Sequence, residues 1–271
     1  MELELSLGLF YLLLLGFAIL MYVLLDGFDL GMGILYPWFN TDAEHDHLMR
    51  SIAHVWDGNE TWLVFGGVIL FGAFPAAYAS IASTFYLPIM LMLIGLIFRG
   101  VAFEYRFKSD TSKRYWNTAF AVGSSLAAFC QGLMLGVLVQ GVDADSVASS
   151  SLQWLTPFSL FTGLAVMAGY ALLGCTYLTM KSRGDIQQKA ARYGQRLLLF
   201  VMLAMLLVSL FTLYQQPEIR ERWFGGAHSL ILMLLPLIDS TKLPPRPPPK
   251  LLLPHSTVTR RCNNFRPSIK N

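Results

Sequence analysis

The chain has 271 residues, 55% of them hydrophobic and only 14% charged, with a formal net charge of +3. Soluble domains carry about 25% charged residues. A mean hydropathy of +0.51 and several long apolar runs therefore exclude an ordinary soluble domain and indicate an all-α polytopic membrane protein. A β-barrel is excluded because the runs do not alternate with period two. The basic residues cluster between the runs, which sets topology and carries no nucleic-acid signature.

The amino terminus, MELELS, is acidic where a cleavable signal peptide needs a basic start, so it is expected to be retained. With ~20 residues needed to cross the hydrocarbon, a transmembrane helix bundle of about six full spans is predicted, over 7–35, 61–82, 85–103, 118–140, 158–180 and 197–215, with a short seventh apolar segment near 228–238. The first run is long enough to tilt or to project. Within it, MYVLLDGFDLGMG carries Asp26 and Asp29, although a charge at bilayer depth costs at least ~2.5–3.5 kcal/mol. Three residues apart, they share one helix face. Two poorly solvated carboxylates repel, so one of them holding a proton would suit proton carriage or cation binding. Alternatively the span overshoots and the pair sits among headgroups.

The second run is preceded by HLMRSIAHVWDGNETW, in which Gly58 is the only helix breaker. Its helix is therefore expected to start early and project from the membrane. Asp57, Asn59, Glu60 and Thr61 crowd this end between Trp56 and Trp62. They read either as the mouth of a proton path or as a solvated, capped helix start. In the third run, LIFRGVAFEYRF, Arg99 lies inside the apolar stretch and Glu104 just past it. Arg99 either snorkels to the interface or pairs with a carboxylate on another helix.

Two basic loops, 104–117 with Arg106, Lys108, Lys113 and Arg114 and 181–196 with Lys181, Arg183, Lys189, Arg192 and Arg196, are expected in the cytoplasm. The loop 141–157 between them has Asp143 and Asp145 and no Lys or Arg, and belongs outside. This places the amino terminus in the periplasm and gathers Asp26, Asp29, Asp57, Arg99 and Glu104 toward the cytoplasmic side. Gly27 with Gly31, and Gly132 with Gly136, form GxxxG pairs. These mark close helix contacts or reflect the ordinary abundance of glycine in membrane helices. Cys130, Cys175 and Cys262 show no CxxC spacing and read as small core residues. His45, His47, His54, His228 and His255 show no HxxxH or CxxCH spacing, so neither metal nor haem ligation is expected in this chain.

The islands DGFDLG at 26–31, WDGNETWLVFGG at 56–67 and FRGVAFEYRFK at 98–108, continued by LTPFSLFTGL and YALLGCTYL, resemble subunit II of the cytochrome bd quinol oxidases, with the flavour of the cyanide-insensitive branch. The likeness covers about residues 8–226. It implies a multi-pass subunit of the bacterial inner membrane, paired with a larger subunit I that holds the haems b and d. It further implies a complex that oxidises quinol and reduces oxygen to water with protons from the cytoplasm. Within that complex, subunit II is not itself catalytic; it supports subunit I, supplies part of the proton route and holds a structural quinone. By the same resemblance Asp57 matches the proton-route aspartate, Asp29 follows with Asp26 as its partner, and Glu104 stands where some relatives have aspartate. Arg99, Trp56, Asn59 and Glu60 are supporting residues.

The domain reading is a bundle at 1–226, an apolar stub at 227–239 and a Pro/Arg-rich tail at 240–271, the last expected to be disordered or the product of a frameshift. Family members continue past 226 with further spans, and this tail departs from them. A proton-coupled secondary transporter is the alternative function. It is disfavoured because the polar residues gather at one face and no internal repeat is evident. A purely structural membrane scaffold is a third reading.

Overall fold

The computed structural model describes residues 2–109, 111–141 and 154–224; the stub and the tail lie outside them. Met1–Glu221 form one compact unit, and Arg222–Asn271 a second of which only the first residues are described. Among the described residues the regular structure is helical: α1 Glu2–Leu35, α2 Asp42–Ile52, α3 Trp56–Ala73, α4 Pro75–Thr84, α5 Tyr86–Arg106, α6 Lys113–Gln140, α7 Pro157–Lys181, α8 Asp185–Gln215 and α9 Pro217–Phe224. A single 3-10 turn, Tyr36–Trp38, ends the first helix.

Helices α1, α5, α6, α7 and α8 are each long and apolar enough to cross a membrane. The 34 residues of α1 extend about 51 Å at 1.5 Å per residue, well beyond the ~30 Å hydrocarbon core. The remaining expected span, 61–82, is built from two helices, α3 and α4, joined at Phe74 (φ −132°, ψ 60°). Pro75 causes the break, because it lacks an N–H and disfavours helical geometry in the residue before it.

The second span does start before residue 61, at Trp56, but it does not project as one long helix. The helix does not continue upstream from Trp56; it stops at Ile52 and restarts after a turn at 53–55. No breaker residue marks this point, so tertiary packing decides it. Helix α2 opens on a capping box between Thr41 and Glu44 and buries Leu48, Met49 and Ile52 against Met32, Leu35, Phe103 and Leu178. Its polar residues reach the ends of four other elements: His45 stacks on Tyr36, Asp46 pairs with Arg106, His47 bonds Ser182 and Glu44 pairs with Lys189. Helix α2 therefore lies across one end of the bundle. Arg106, Ser182 and Lys189, from the two basic segments of the sequence, meet α2 at that end.

Helix α1 packs on α3, α6 and α7, while α5 packs on α6, α6 on α7 and α7 on α8. The contact of α1 with α7 is made backbone to backbone. A Cβ on Gly31 would stand 1.9 Å from the Tyr170 carbonyl oxygen, so nothing larger than glycine fits. The other three glycines of the two GxxxG pairs also lie in helix contacts: Gly27 against the Tyr170 ring, and Gly132 and Gly136 against the 159–163 turn of α7. Gly95 and Gly123 join α5 to α6 in the same way. Large apolar residues along α8, such as Leu199, Met205 and Leu206, and along the first half of α1 remain exposed, as lipid-facing surfaces do.

Gly31→Ala should therefore lower the thermal midpoint of the detergent-solubilised protein, in line with an overpacking cost of about 1–3 kcal/mol or more. Gly16→Ala, whose Cβ meets nothing within 4 Å, should leave it unchanged. A second test concerns pH. The Lys189 ammonium, helped by the Asn40 and Thr41 amides, holds the Glu44 carboxyl down to about 2 from its ordinary 4.5. Its contribution to stability is then fully present above about pH 4.5 and is lost as pH falls toward 2. Acid melting curves of Glu44→Gln should be flatter than wild type across that window.

Candidate functional site

About 10 Å inward from the α2-capped end, taking Arg99 seven residues before the end of α5 at 1.5 Å per residue, α1, α3 and α5 bring four ionisable side chains together. Asp26, Asp29 and Arg99 have no exposed surface. Arg99 Nη2 donates to Asp26 Oδ1 at 2.7 Å and stands 3.9 Å from Asp29 Oδ2. Its other nitrogen, Nη1, faces Glu60 Oε2 at 3.8 Å. Asn59 Nδ2 donates to Asp29 Oδ2 at 2.8 Å and also to the Leu25 carbonyl at 3.2 Å. Two open questions from the sequence close here. Arg99 does not snorkel; it pairs. Asp26 and Asp29 do not sit in solvated headgroups; they are inside the bundle.

Local sequence explains the convergence. The i,i+3 spacing puts Asp26 and Asp29 on one face of α1. Asn59 and Glu60 sit in the first turns of α3, which runs antiparallel to α1: Asn59 meets Asp29, while Gly66 meets Ala18 and Leu15. Trp56 roofs the site, stacking on Phe103 with centroids 4.8 Å apart and lying 3.5 Å from a Cβ built on Gly100. A charge removed from water this completely is stable only when paired, and removing one partner of a buried pair costs about 3–5 kcal/mol. Four buried atoms of the cluster, Asp26 Oδ2, Asp29 Oδ1 and Arg99 Nε and Nη1, have no hydrogen-bond partner among the described residues. Full satisfaction of such atoms calls for internal water.

The other two carboxylates of the expected set stand apart. Asp57 is exposed, and Thr61 bonds its backbone carbonyl rather than its side chain. Glu104 is exposed and pairs at 3.1 Å with Lys108, which lies just past the end of α5. Both lie toward the same end of the bundle as the cluster, but neither joins it. Of the histidines, His45 and His47 are engaged at the α2 cap, His54 is exposed, and His228 and His255 lie outside the described residues. Cys130 and Cys175 are buried free thiols; Cys262 is outside the described residues.

A polar chain absent from the sequence reading leads away from the cluster. Tyr22 lies one turn before Asp26 on α1, and Gln131 Nε2 donates to its hydroxyl at 2.7 Å. The Tyr170 hydroxyl in turn donates to Gln131 Oε1 at 2.8 Å. All three line a cavity of about 1100 Å³ whose other walls, including Leu15, Ile19, Met92, Val166 and Leu173, are almost wholly apolar. The available signal was Gln131, an amide alone inside an apolar run.

Residues 7–243 match the family described as cytochrome bd terminal oxidase subunit II. The chain belongs to that family. It is similar to the cytochrome bd-I ubiquinol oxidase subunit 2 of Escherichia coli K12, with 32% identity over 212 residues, 74% of this chain and 56% of that protein. It is also similar to the cytochrome bd ubiquinol oxidase subunit 2 of Bacillus subtilis 168, with 30% identity over 207 residues, 74% of this chain and 61% of that one. The chain thus spans little more than half the length of these relatives. The structure of bd oxidase from Geobacillus thermodenitrificans superposes with a TM-score of 0.69, covering 87% of this chain and 75% of that chain at 19% identity, so what is shared is the fold. The family match extends to residue 243, beyond the boundary near 226 at which the motif likeness fades.

The cluster yields a test of its structural weight. Arg99→Met should strip two buried carboxylates of their counter-charge and sharply reduce the amount of folded protein. Adding Asp26→Leu should restore part of the yield, because an apolar pair of similar volume replaces a buried ion pair at small cost. Fluorescence-detected size-exclusion of the two variants checks this.

Proposed function

We propose that this chain serves as subunit II of a bd-type quinol:oxygen oxidoreductase of the bacterial inner membrane, seated beside a haem-bearing subunit I with its amino terminus in the periplasm. The observation that carries the reading is the buried cluster of Asp26, Asp29 and Glu60 around Arg99, held inside a bundle whose fold and family are those of bd oxidases. Three carboxylates around one guanidinium, two of them without access to bulk water, form a site that can gain and lose hydrogen ions. A quinol oxidase needs such a route, since reducing oxygen to water consumes protons.

The exposed Asp57 would collect hydrogen ions at the face turned to subunit I, and Asp29 would pass them through the interior, with Asp26 held in its bond to Arg99. Trp56 and Phe103 keep lipid and bulk water from the pair. Glu104 would contribute at the surface near the same end. The haems b and d belong to subunit I in this reading, where they supply the electron chemistry. The large cavity fits a structural quinone: its walls suit an isoprenoid tail, and Gln131 and Tyr22 offer donors to a carbonyl head. The basic loops at the α2 end support a cytoplasmic placement for that end. Family membership leaves the transporter alternative without a feature that favours it.

In the complex formed with subunit I, Asp57→Asn should lower oxygen consumption by about tenfold or more, the scale on which a positioned proton carrier acts, with the haem b and d bands retained. Asp29→Asn should lose both assembled complex and turnover per haem. Normal turnover in both would remove these carboxylates from the route.

A further inference from the structure

We propose that Glu60 is the port through which the buried cluster takes up its hydrogen ion, and that Arg99 is the shared counter-charge that lets the ion pass from Glu60 to Asp29. The inference rests on the relay reading above and goes beyond it by naming the link between the outward Asp57 and the inward pair.

Geometry singles out Glu60. Of the three carboxylates within 4 Å of the guanidinium, Asp26 and Asp29 are fully enclosed, whereas the Glu60 side chain is 26% exposed. Asp57 is open to the outside and sits three residues earlier on α3, which puts it on the same helix face as Glu60. The two ends of the guanidinium fork divide the cluster: Nη2 serves Asp26 and Asp29, and Nη1 faces Glu60. Between Glu60 Oε2 and Nη1 the 3.8 Å gap is too long for a hydrogen bond. It suits a bridging water or a rotamer change that closes it.

Charge arithmetic supports the same step. Among the described residues Arg99 is the only cation in ion-pair reach of Asp26, Asp29 or Glu60. Three carboxylates around one guanidinium are neutral only with two protons bound. The other titratable side chains that act on these carboxylates are the Asp57 carboxylate, which acts on Glu60 from one turn earlier on α3, and the phenols Tyr22 on α1 and Tyr170 and Tyr177 on α7. Phenols add no positive charge. Asp26 has the short bond to Arg99, so the mobile protons belong to Glu60 and Asp29. Once Asp29 has given its own proton onward along the route, the O–H bond of the Glu60 carboxyl breaks and one forms at Asp29 Oδ1, a buried acceptor without a hydrogen-bond partner among the described residues. Water carries the ion across, Arg99 stays protonated throughout, and the site's total charge does not change.

The test uses the complex of the full gene product with its haem-bearing partner in native membranes, comparing Glu60→Gln, Glu60→Asp and Asp29→Asn. Glu60→Gln should cut turnover per haem at least tenfold, and Glu60→Asp should recover several-fold with its pH profile displaced. If Glu60→Gln turns over like wild type while Asp29→Asn is impaired, the relay stands and the Glu60 port is overturned. If both turn over normally, the relay reading falls with it. A second measurement needs no variant. Dicyclohexylcarbodiimide, which reacts with protonated carboxyls that it can reach, should label the partly exposed Glu60 but not the enclosed Asp26 or Asp29 in peptide mass spectra, and turnover should fall with the extent of labelling. Absence of label on Glu60 across pH, or labelling without loss of turnover, overturns the proposal.

Discussion

A single guanidinium enclosed with carboxylates, away from bulk water, is the constraint around which this bundle is arranged. Isolated charges in such a place are prohibitive, so Arg99 fixes where α1, α3 and α5 must stand relative to one another. Asp26 supplies the short bond, Asn59 holds Asp29 in place, and Trp56 and Phe103 close the roof. The same interaction that orients the helices leaves the site with more acid than base. In the proposed relay, that imbalance would let the site exchange hydrogen ions without losing its architecture.

Packing elsewhere serves this arrangement. Helix α2 spans the end of the bundle and ties its loops together through Arg106 with Asp46, Lys189 with Glu44 and His47 with Ser182. Beneath it Met32, Leu35, Leu48, Met49 and Ile52 form an apolar plug between the cluster and the polar end. On the other side of the cluster, Tyr22 and Gln131 mark the change from charged interior to apolar cavity.

Much of this was legible in the sequence. Apolar runs gave the spans, because a helix in lipid must be long and continuously apolar. The i,i+3 aspartates, the Arg99 island and the Asn59–Glu60 pair gave the members of the cluster, because intramembrane charge is costly and seldom incidental. What stayed hidden depends on the third dimension. Asp57 and Glu60 look equivalent in WDGNETW and share a face of α3, yet only Glu60, one turn further into the bundle, reaches Arg99, while Asp57 at the helix start stays exposed. The restart of the helix at Trp56 has no local signal, since it comes from α2 folding across the bundle. The break at Pro75 did have a signal, but an apolar run on either side masked it. Gln131 was readable as an oddity; only the fold shows its hydroxyl partners.

The backbone contact at Gly31 bears on motion. Helices α1 and α7 meet there with no side chain between them, so they can neither slide nor roll against each other without collision and must behave as one stiff plate. Helix α3 touches α1 more loosely, with Gly66 facing Ala18 and Leu15 across ordinary contact distances, and it ends at the Phe74–Pro75 joint. The part of α3 from Gly66 to that joint is therefore less tightly constrained than the α1–α7 seam. The other end of α3 is pinned: Asn59 bonds Asp29 and Glu60 faces Arg99, so any looseness in this helix lies away from the cluster.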